Sequence, residues 1–277
     1  MASAAWAPSS VIVTRPEREA KAWADALHAQ GVRCEILPLI EIAALAEPSV
    51  LVKVWHAVPQ HLAVMFVSAN AVRFFMAARP DHLPWNACRA WSTGPGTRAA
   101  LLAAGWPADL IDSPDETASQ FDSEALWSLV APNVEAEVKR CQSLNLSADV
   151  QQPSVLIVRG ADAHGQLAGR DWLALKMEAA GLQVLQTVAY VRQPPRLTLA
   201  QQQRARQAMS DGSRWLFSSS EAAQFLLQAC PDLILDHAKA LATHPRIALK
   251  LKQSGWPCVE LVPPGLEAQA QSIKSRP

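Results

Sequence analysis

Two stretches of this chain, 150 positions apart, carry the same punctuation. Gly94-Pro95 leads into a short Ala/Leu-rich run that ends at Gly105-Trp106-Pro107. His244-Pro245 leads into a second such run that ends at Gly255-Trp256-Pro257. Proline is favoured in the first turn of a helix and glycine just past its end, so each stretch predicts one short helix with a fixed start and stop. Two more features recur in the same order. Val11-Ile-Val-Thr14 is matched by Val155-Leu-Ile-Val158. The apolar run Leu62–Val67 followed by Ser68 is matched by Arg214–Phe217 followed by Ser218 and Ser219. Three matched features at nearly one offset indicate a duplicated unit.

Within each copy, short apolar runs alternate with helical segments. Strands are expected at Val11–Thr14, Cys34–Ile40, Leu62–Val67, Asp109–Ile111, Val155–Val158, Leu182–Tyr190, Arg214–Phe217 and Val259–Val262. Helices are expected from Pro16 to Gln30, near Pro48–His61, from Ser68 to Met76, Thr97 to Ala104, Ser119 to Val130, His164 to Ala180, Gln201 to Met209 and Leu266 to Ile273. Asn133–Gln152, poorer in large apolar groups, reads as a surface insertion or linker. Such alternation predicts an α/β fold with parallel sheets covered by helices on both faces. By periodicity alone, a division near residue 150 fits the chain.

Charge narrows the function. The 277 residues carry 25 Lys+Arg and 25 Asp+Glu, a formal net charge of +0, which argues against a nucleic-acid or membrane-surface partner recruited by bulk charge. The five cysteines form no C-x-x-C pair and no metal-ligand spacing, so a cytoplasmic protein with reduced thiols and no metal is expected. Met1–Ser10 has neither a basic nor an apolar region of the signal-peptide kind, and no apolar run has the length of a membrane helix.

Ligands of parallel α/β sheets bind beyond the carboxyl ends of the strands. That rule picks out Arg15, Ser68–Asn70 (with Ala69 between them), Gly94 and Thr97, Arg159 and Gly160, Ser218, Ser219 and Ser220, and His244 and Arg246. Serine hydroxyls and helix-start N–H groups bind carboxylates without a net positive charge. The competing reading of the serines is ordinary helix capping, and of the arginines local ion pairing.

The ordered set Val11-Ile-Val-Thr-Arg-Pro16, Leu37-Pro-Leu-Ile-Glu-Ile42, Phe66-Val-Ser-Ala-Asn-Ala-Val72, Thr93-Gly-Pro-Gly-Thr97, Leu156-Ile-Val-Arg-Gly160 and Val188-Ala-Tyr190 resembles the uroporphyrinogen-III synthase family over nearly the whole chain. The resemblance implies two similar flavodoxin-like domains joined by a two-stranded linker, with the substrate cleft between them. It implies a discontinuous first domain, residues 1–40 plus 191–277, and an inserted domain, 41–190, with linker strands near 37–42 and 184–190. It also implies a monomer without cofactor or metal that cyclises the linear tetrapyrrole hydroxymethylbilane to uroporphyrinogen III, inverting the last pyrrole ring. Tyr190, the only tyrosine, matches the family's linker-end tyrosine, which assists loss of the hydroxyl as an acid. The family usually keeps Gly-Pro-x-Thr in both copies. Here the second copy reads His244-Pro245-Arg246-Ile247, so a charged contact through Arg246 is expected in place of hydroxyl recognition. The alternatives are a non-catalytic two-domain binder of a small anionic ligand and a degenerate homologue with a structural role.

Overall fold

The computed structural model describes residues 10–83, 88–114, 123–144, 152–162, 164–167 and 172–275. Residues 119–122 of one expected helix, 145–151 of the expected insertion and 168–171 of the expected 164–180 helix lie outside them.

In chain order the elements begin with β1 (Val11–Val13), α1 (Glu17–Ala29), β2 (Cys34–Ile36), β3 (Glu41–Ala44), α2 (Ser49–Ala57), β4 (Ala63–Phe66), α3 (Ala69–Ala77) and β5 (Arg89–Ser92). They continue with α4 (Pro95–Ala103), β6 (Ile111–Asp112), α5 (Ser123–Leu144), β7 (Ser154–Asp162), α6 (Trp172–Ala179), β8 (Gln183–Gln193) and α7 (Leu199–Ala208). The chain closes with β9 (Arg214–Phe217), α8 (Ser220–Ala229), β10 (Lys239–Ala242), α9 (Pro245–Gln253), β11 (Cys258–Leu261) and α10 (Leu266–Lys274). Among the described residues no helix is long and apolar enough to cross a membrane.

Two compact units result, one of Met1–Glu41 with Gln193–Pro277, the other of Ile42–Arg192. The first holds a five-stranded sheet in the order β11-β10-β9-β1-β2, with parallel pairings throughout. The second holds six strands in the order β3-β8-β7-β4-β5-β6, again with parallel pairings from β8 through β6. If β7, β8, β4, β5 and β6 are set against β1, β2, β9, β10 and β11, the two orders coincide. Both are the doubly-wound order in which the first-position strand lies between the second and the third. Because β1 pairs with β9, the simple division near residue 150 is excluded.

The duplicated helices are alike in detail. α4 and α9 each run nine residues from a proline. Each is closed by a glycine in the left-handed region, Gly105 at φ 84° and Gly255 at φ 90°, where a side chain would be strained. In each, the following tryptophan N–H returns to a carbonyl in the last turn, Trp106 to Leu101 and Trp256 to Leu251, and its ring is buried. The two sheets pack helices on both faces. In the second unit Leu156 and Val158 of β7 belong to the core shared with α2, α3 and α4, whereas Val155 and Ile157 belong to the core shared with α5 and α6.

Three expectations are corrected. Asn133–Leu144 is not a loop but the second half of the 22-residue α5. Its buried stripe is narrow, Leu126, Val130, Val134, Val138 and Cys141, about one residue per turn, and Pro132 sits inside the helix. A stripe that thin carries a weak helical signal. Ala108–Leu110 is a 3-10 turn, with the strand reduced to Ile111–Asp112. Arg159-Gly160 does not turn the chain: β7 continues to Asp162, and His164–Gln166 forms a turn held by the Asp162 carboxylate.

Candidate active site

In a doubly-wound sheet the crevice opens where neighbouring strands send their connections to opposite faces, here between β7 and β4. β4 ends at Phe66, and two residues later Ser68 caps α3, its Oγ accepting from the N–H of Ala71 at 3.1 Å. The same Oγ lies 3.1 Å from the hydroxyl of Tyr190, on β8. Either hydroxyl can donate in this pair, and Ser68 keeps its proton for donation while its Oγ accepts from Ala71. Ala69 opens the helix, and Asn70 is buried in its first turn. The N-terminal end of α3 therefore sits next to the Tyr190 oxygen.

Tyr190 is only 6 % exposed. Its ring stacks on Phe74 of α3 at 5.9 Å between centroids and 24° between planes, and the Arg73 guanidinium lies 5.3 Å from the Phe74 ring centroid. Neither Phe74 nor Arg73 was singled out from sequence. The signal was their place on the helix that Ser68 caps, one and a half turns further along. Gly160 also borders the ring. A Cβ built on Gly160 would lie 2.4 Å from Cζ of Tyr190 and 2.8 Å from its hydroxyl oxygen.

A bulge determines which face Tyr190 takes. Arg159 pairs with Val188, but the next residue, Gly160, pairs with Tyr190, leaving Ala189 as the extra residue of β8. Side chains alternate along a strand, and Val184 packs with the α5/α6 core. With unbroken alternation along β8, Tyr190 would share that face. The bulge moves it to the face of α3, where Ser68 and Phe74 lie. By the same alternation Arg159 belongs to the opposite face. It is 2 % exposed and donates from Nη1 to Gln186 Oε1 at 2.7 Å. So Gly160 and Tyr190 come together with Ser68, and Arg159 does not join them.

The neighbouring rim follows β5. Gly94 precedes α4 in extended backbone (φ 177°, ψ 173°), which any residue adopts, and the helix start has no side-chain cap. Thr97 is buried, 7 % exposed, in the first turn.

The rim of the first unit is built differently. Arg15 follows β1, and its guanidinium lies 3.9 Å from the Trp23 ring centroid. Burial lowers its pKa, an effect that nearby Glu19 partly opposes, and its buried Nε has no hydrogen-bond partner among the described residues. Ser219, rather than Ser218 or Ser220, is the cap of α8, accepting from the N–H of Glu221 at 3.3 Å. His244 caps α9, its Nδ1 accepting from the N–H of Arg246 at 3.1 Å, and Arg246 is exposed. The change from Gly94 to His244 therefore adds a cap that α4 lacks. Among the described residues no group of three or more His, Cys, Asp or Glu is arranged to hold a metal ion.

A family profile described as uroporphyrinogen-III synthase HemD matches residues 21–269. Among solved structures, the chain resembles the uroporphyrinogen-III synthetase of Helicobacter pylori. That match has 17 % identity and a TM-score of 0.56, and covers 96 % of this chain and 99 % of the other. It also resembles a mutant uroporphyrinogen III synthase from the extremely thermophilic bacterium Thermus thermophilus, again at 17 % identity, with a TM-score of 0.52 and coverage of 96 % and 98 %. At that identity the two structures speak for the fold; the profile match extends over most of the chain.

Proposed function

Since the chain belongs to the uroporphyrinogen-III synthase family, we propose that Tyr190, Ser68 and the start of α3 carry out the acid step of the family's reaction, the cyclisation of hydroxymethylbilane to uroporphyrinogen III in tetrapyrrole biosynthesis. The observation that carries this reading is the hydrogen bond between Tyr190 and Ser68 at the β4/β7 switch point.

The reaction begins with loss of the terminal hydroxyl of the bilane. Hydroxide is a poor leaving group, so Tyr190 donates its proton and water departs, leaving a cationic azafulvene. Ser68 Oγ–H and the α3 dipole stabilise the phenolate that remains. The substituted carbon of the last ring attacks the cation and forms a spiro intermediate. Fragmentation and reclosure at the neighbouring carbon invert that ring. The proton lost at rearomatisation balances the one Tyr190 gave, so the net change is loss of one water. The phenolate also places negative charge beside the cation, which favours its formation.

The substrate carries eight carboxylates, and its spontaneous closure gives the non-inverted isomer. Holding a folded conformation is therefore the larger part of the task. At the uncapped start of α4 the Gly96 N–H is open to a carboxylate, since Pro95 has no N–H and Thr97 and Arg98 donate to the Gly94 carbonyl; Thr97 is buried in the same turn. In the other unit Arg15 and the exposed Arg246 supply charge, while Ser219 and His244 are spent on helix caps. Ser218 and Ser220 flank that cap and remain candidates for substrate contact.

Ser68→Ala tests this reading. A hydrogen bond to a charged group is worth about 1.5–3 kcal/mol, so kcat is expected to fall about tenfold or more, with KM little changed. Loss of the cap costs a further ~1 kcal/mol of stability. A lowered melting temperature with an unaltered kcat would mean that Ser68 is only a cap.

A further inference from the structure

We infer that Gly160 is a positioning residue for Tyr190: it is glycine because the phenol ring crosses the β7 backbone where a side chain would stand. The inference rests on the reading of Tyr190 as the acid, but its geometric half can be tested without that reading. The sequence marks Gly160 as a rim residue that touches ligand; the structure gives it another task. Carbon atoms pack at about 3.5–4.0 Å, and a Cβ on Gly160 would sit 2.4 Å from Cζ, 2.6 Å from Cε2 and 2.8 Å from the hydroxyl oxygen of Tyr190. These three atoms form the reactive end of the ring. A methyl group there forces the end of the ring to shift, and the ring is also held by its stack on Phe74.

Conformation is not the reason for the glycine. Gly160 lies in β7, paired with Tyr190, and is absent from the positive-φ glycines of the chain. Space is the reason. The bulge at Ala189 and the missing side chain at Gly160 act together: the first brings Tyr190 to the α3 face, and the second lets its hydroxyl reach Ser68. Neither residue needs to touch substrate for this.

Because Tyr190 is the only tyrosine, protein made with tyrosine labelled with ¹³C at Cζ gives a single resonance that reports this ring alone. Gly160→Ala is expected to move or broaden that resonance. It should also lower kcat by about 10²-fold or more, as removal of a general acid does, with KM changed less than about threefold. In the Tyr190→Ala background, where the ring is gone, adding Gly160→Ala should cost no further activity and no further melting temperature. An unmoved resonance in Gly160→Ala would overturn the inference, as would a double variant that is inactivated or unfolded beyond Tyr190→Ala, since the new methyl would then meet something other than the ring. A moved resonance with unchanged kcat is a separate outcome: it keeps the steric contact, overturns Gly160 as a positioning residue for catalysis, and removes Tyr190 from the acid role. Should Gly160→Ala fail to fold, the double variant still decides, because only relief by Tyr190→Ala restores a folded chain under this account.

Discussion

Tyr190→Phe is expected to lower kcat for uroporphyrinogen III formation by about 10²–10⁴-fold, the range typical of a general acid, while the protein stays folded. Phenylalanine keeps the ring, so the stack on Phe74 and the passage over Gly160 remain; only the hydrogen bond to Ser68 is lost. A neutral bond of this kind is worth about 0.5–1.5 kcal/mol, a shift of a few degrees at most in melting temperature. The loss should depend on the leaving group. A bilane whose hydroxyl is exchanged for a group that departs without protonation should be turned over by Tyr190→Phe at a rate close to wild type. If both substrates are slowed equally, Tyr190 serves the shape of the site and not proton transfer.

The second large effect is on stability. Trp55 on α2 is 3 % exposed, stacks on Phe75 at 4.5 Å, and donates from Nε1 to the Phe75 carbonyl at 2.7 Å. Phe75 in turn meets Phe66 edge-on, and Phe66 meets Trp106. Trp55→Ala removes one of the four members of this aromatic cluster. Large-to-small changes of an aromatic core residue cost about 3–5 kcal/mol. For a unit of this size that corresponds to roughly 10 °C in melting temperature. Well below the transition, kcat should fall far less than in Tyr190→Phe, because the lost side chain packs α2 onto α3 and has no part in the proton transfer. A calorimetric scan unchanged within about 2–3 °C would show that the cluster closes over the gap.

These residues also show how far the sequence could be read. The helix starts at Ser68, Pro95 and Pro245 and the stops at Gly105 and Gly255 were legible because each depends on a local rule of capping or backbone freedom, whereas the start of α8 was left open between Ser218 and Ser219. The duplication was legible because those local signals recur in order. What failed was non-local. α5 was missed beyond Asn133 because its buried stripe is thin and a proline interrupts it. Which strands share a sheet is fixed by pairings such as Val11 with Arg214, 203 positions apart, on which periodicity is silent. Arg159 was expected at a rim beside Gly160, yet they take opposite faces, because strand alternation continues where a turn was expected.

The candidate site divides in the same way. Tyr190 and Ser68 were each marked by residue type and motif, but their contact was not. It depends on a single extra residue, Ala189, whose effect exists only when β8 is laid against β7. His244 was read as the loss of a glycine and proved to be a gain of a cap. Gly160 was read as a ligand contact, and its close approach to the ring of Tyr190 was not legible.

The most direct test of the account is the isomer ratio. Purified protein, with a chelator present, is given freshly prepared hydroxymethylbilane, and the products are separated into isomers III and I after a time short against spontaneous closure. The account predicts isomer III in large excess from the wild-type chain, with Tyr190→Phe shifting the mixture toward isomer I as the slow enzyme is overtaken by the uncatalysed reaction. Isomer I alone from the wild-type chain, formed at the spontaneous rate, would contradict it.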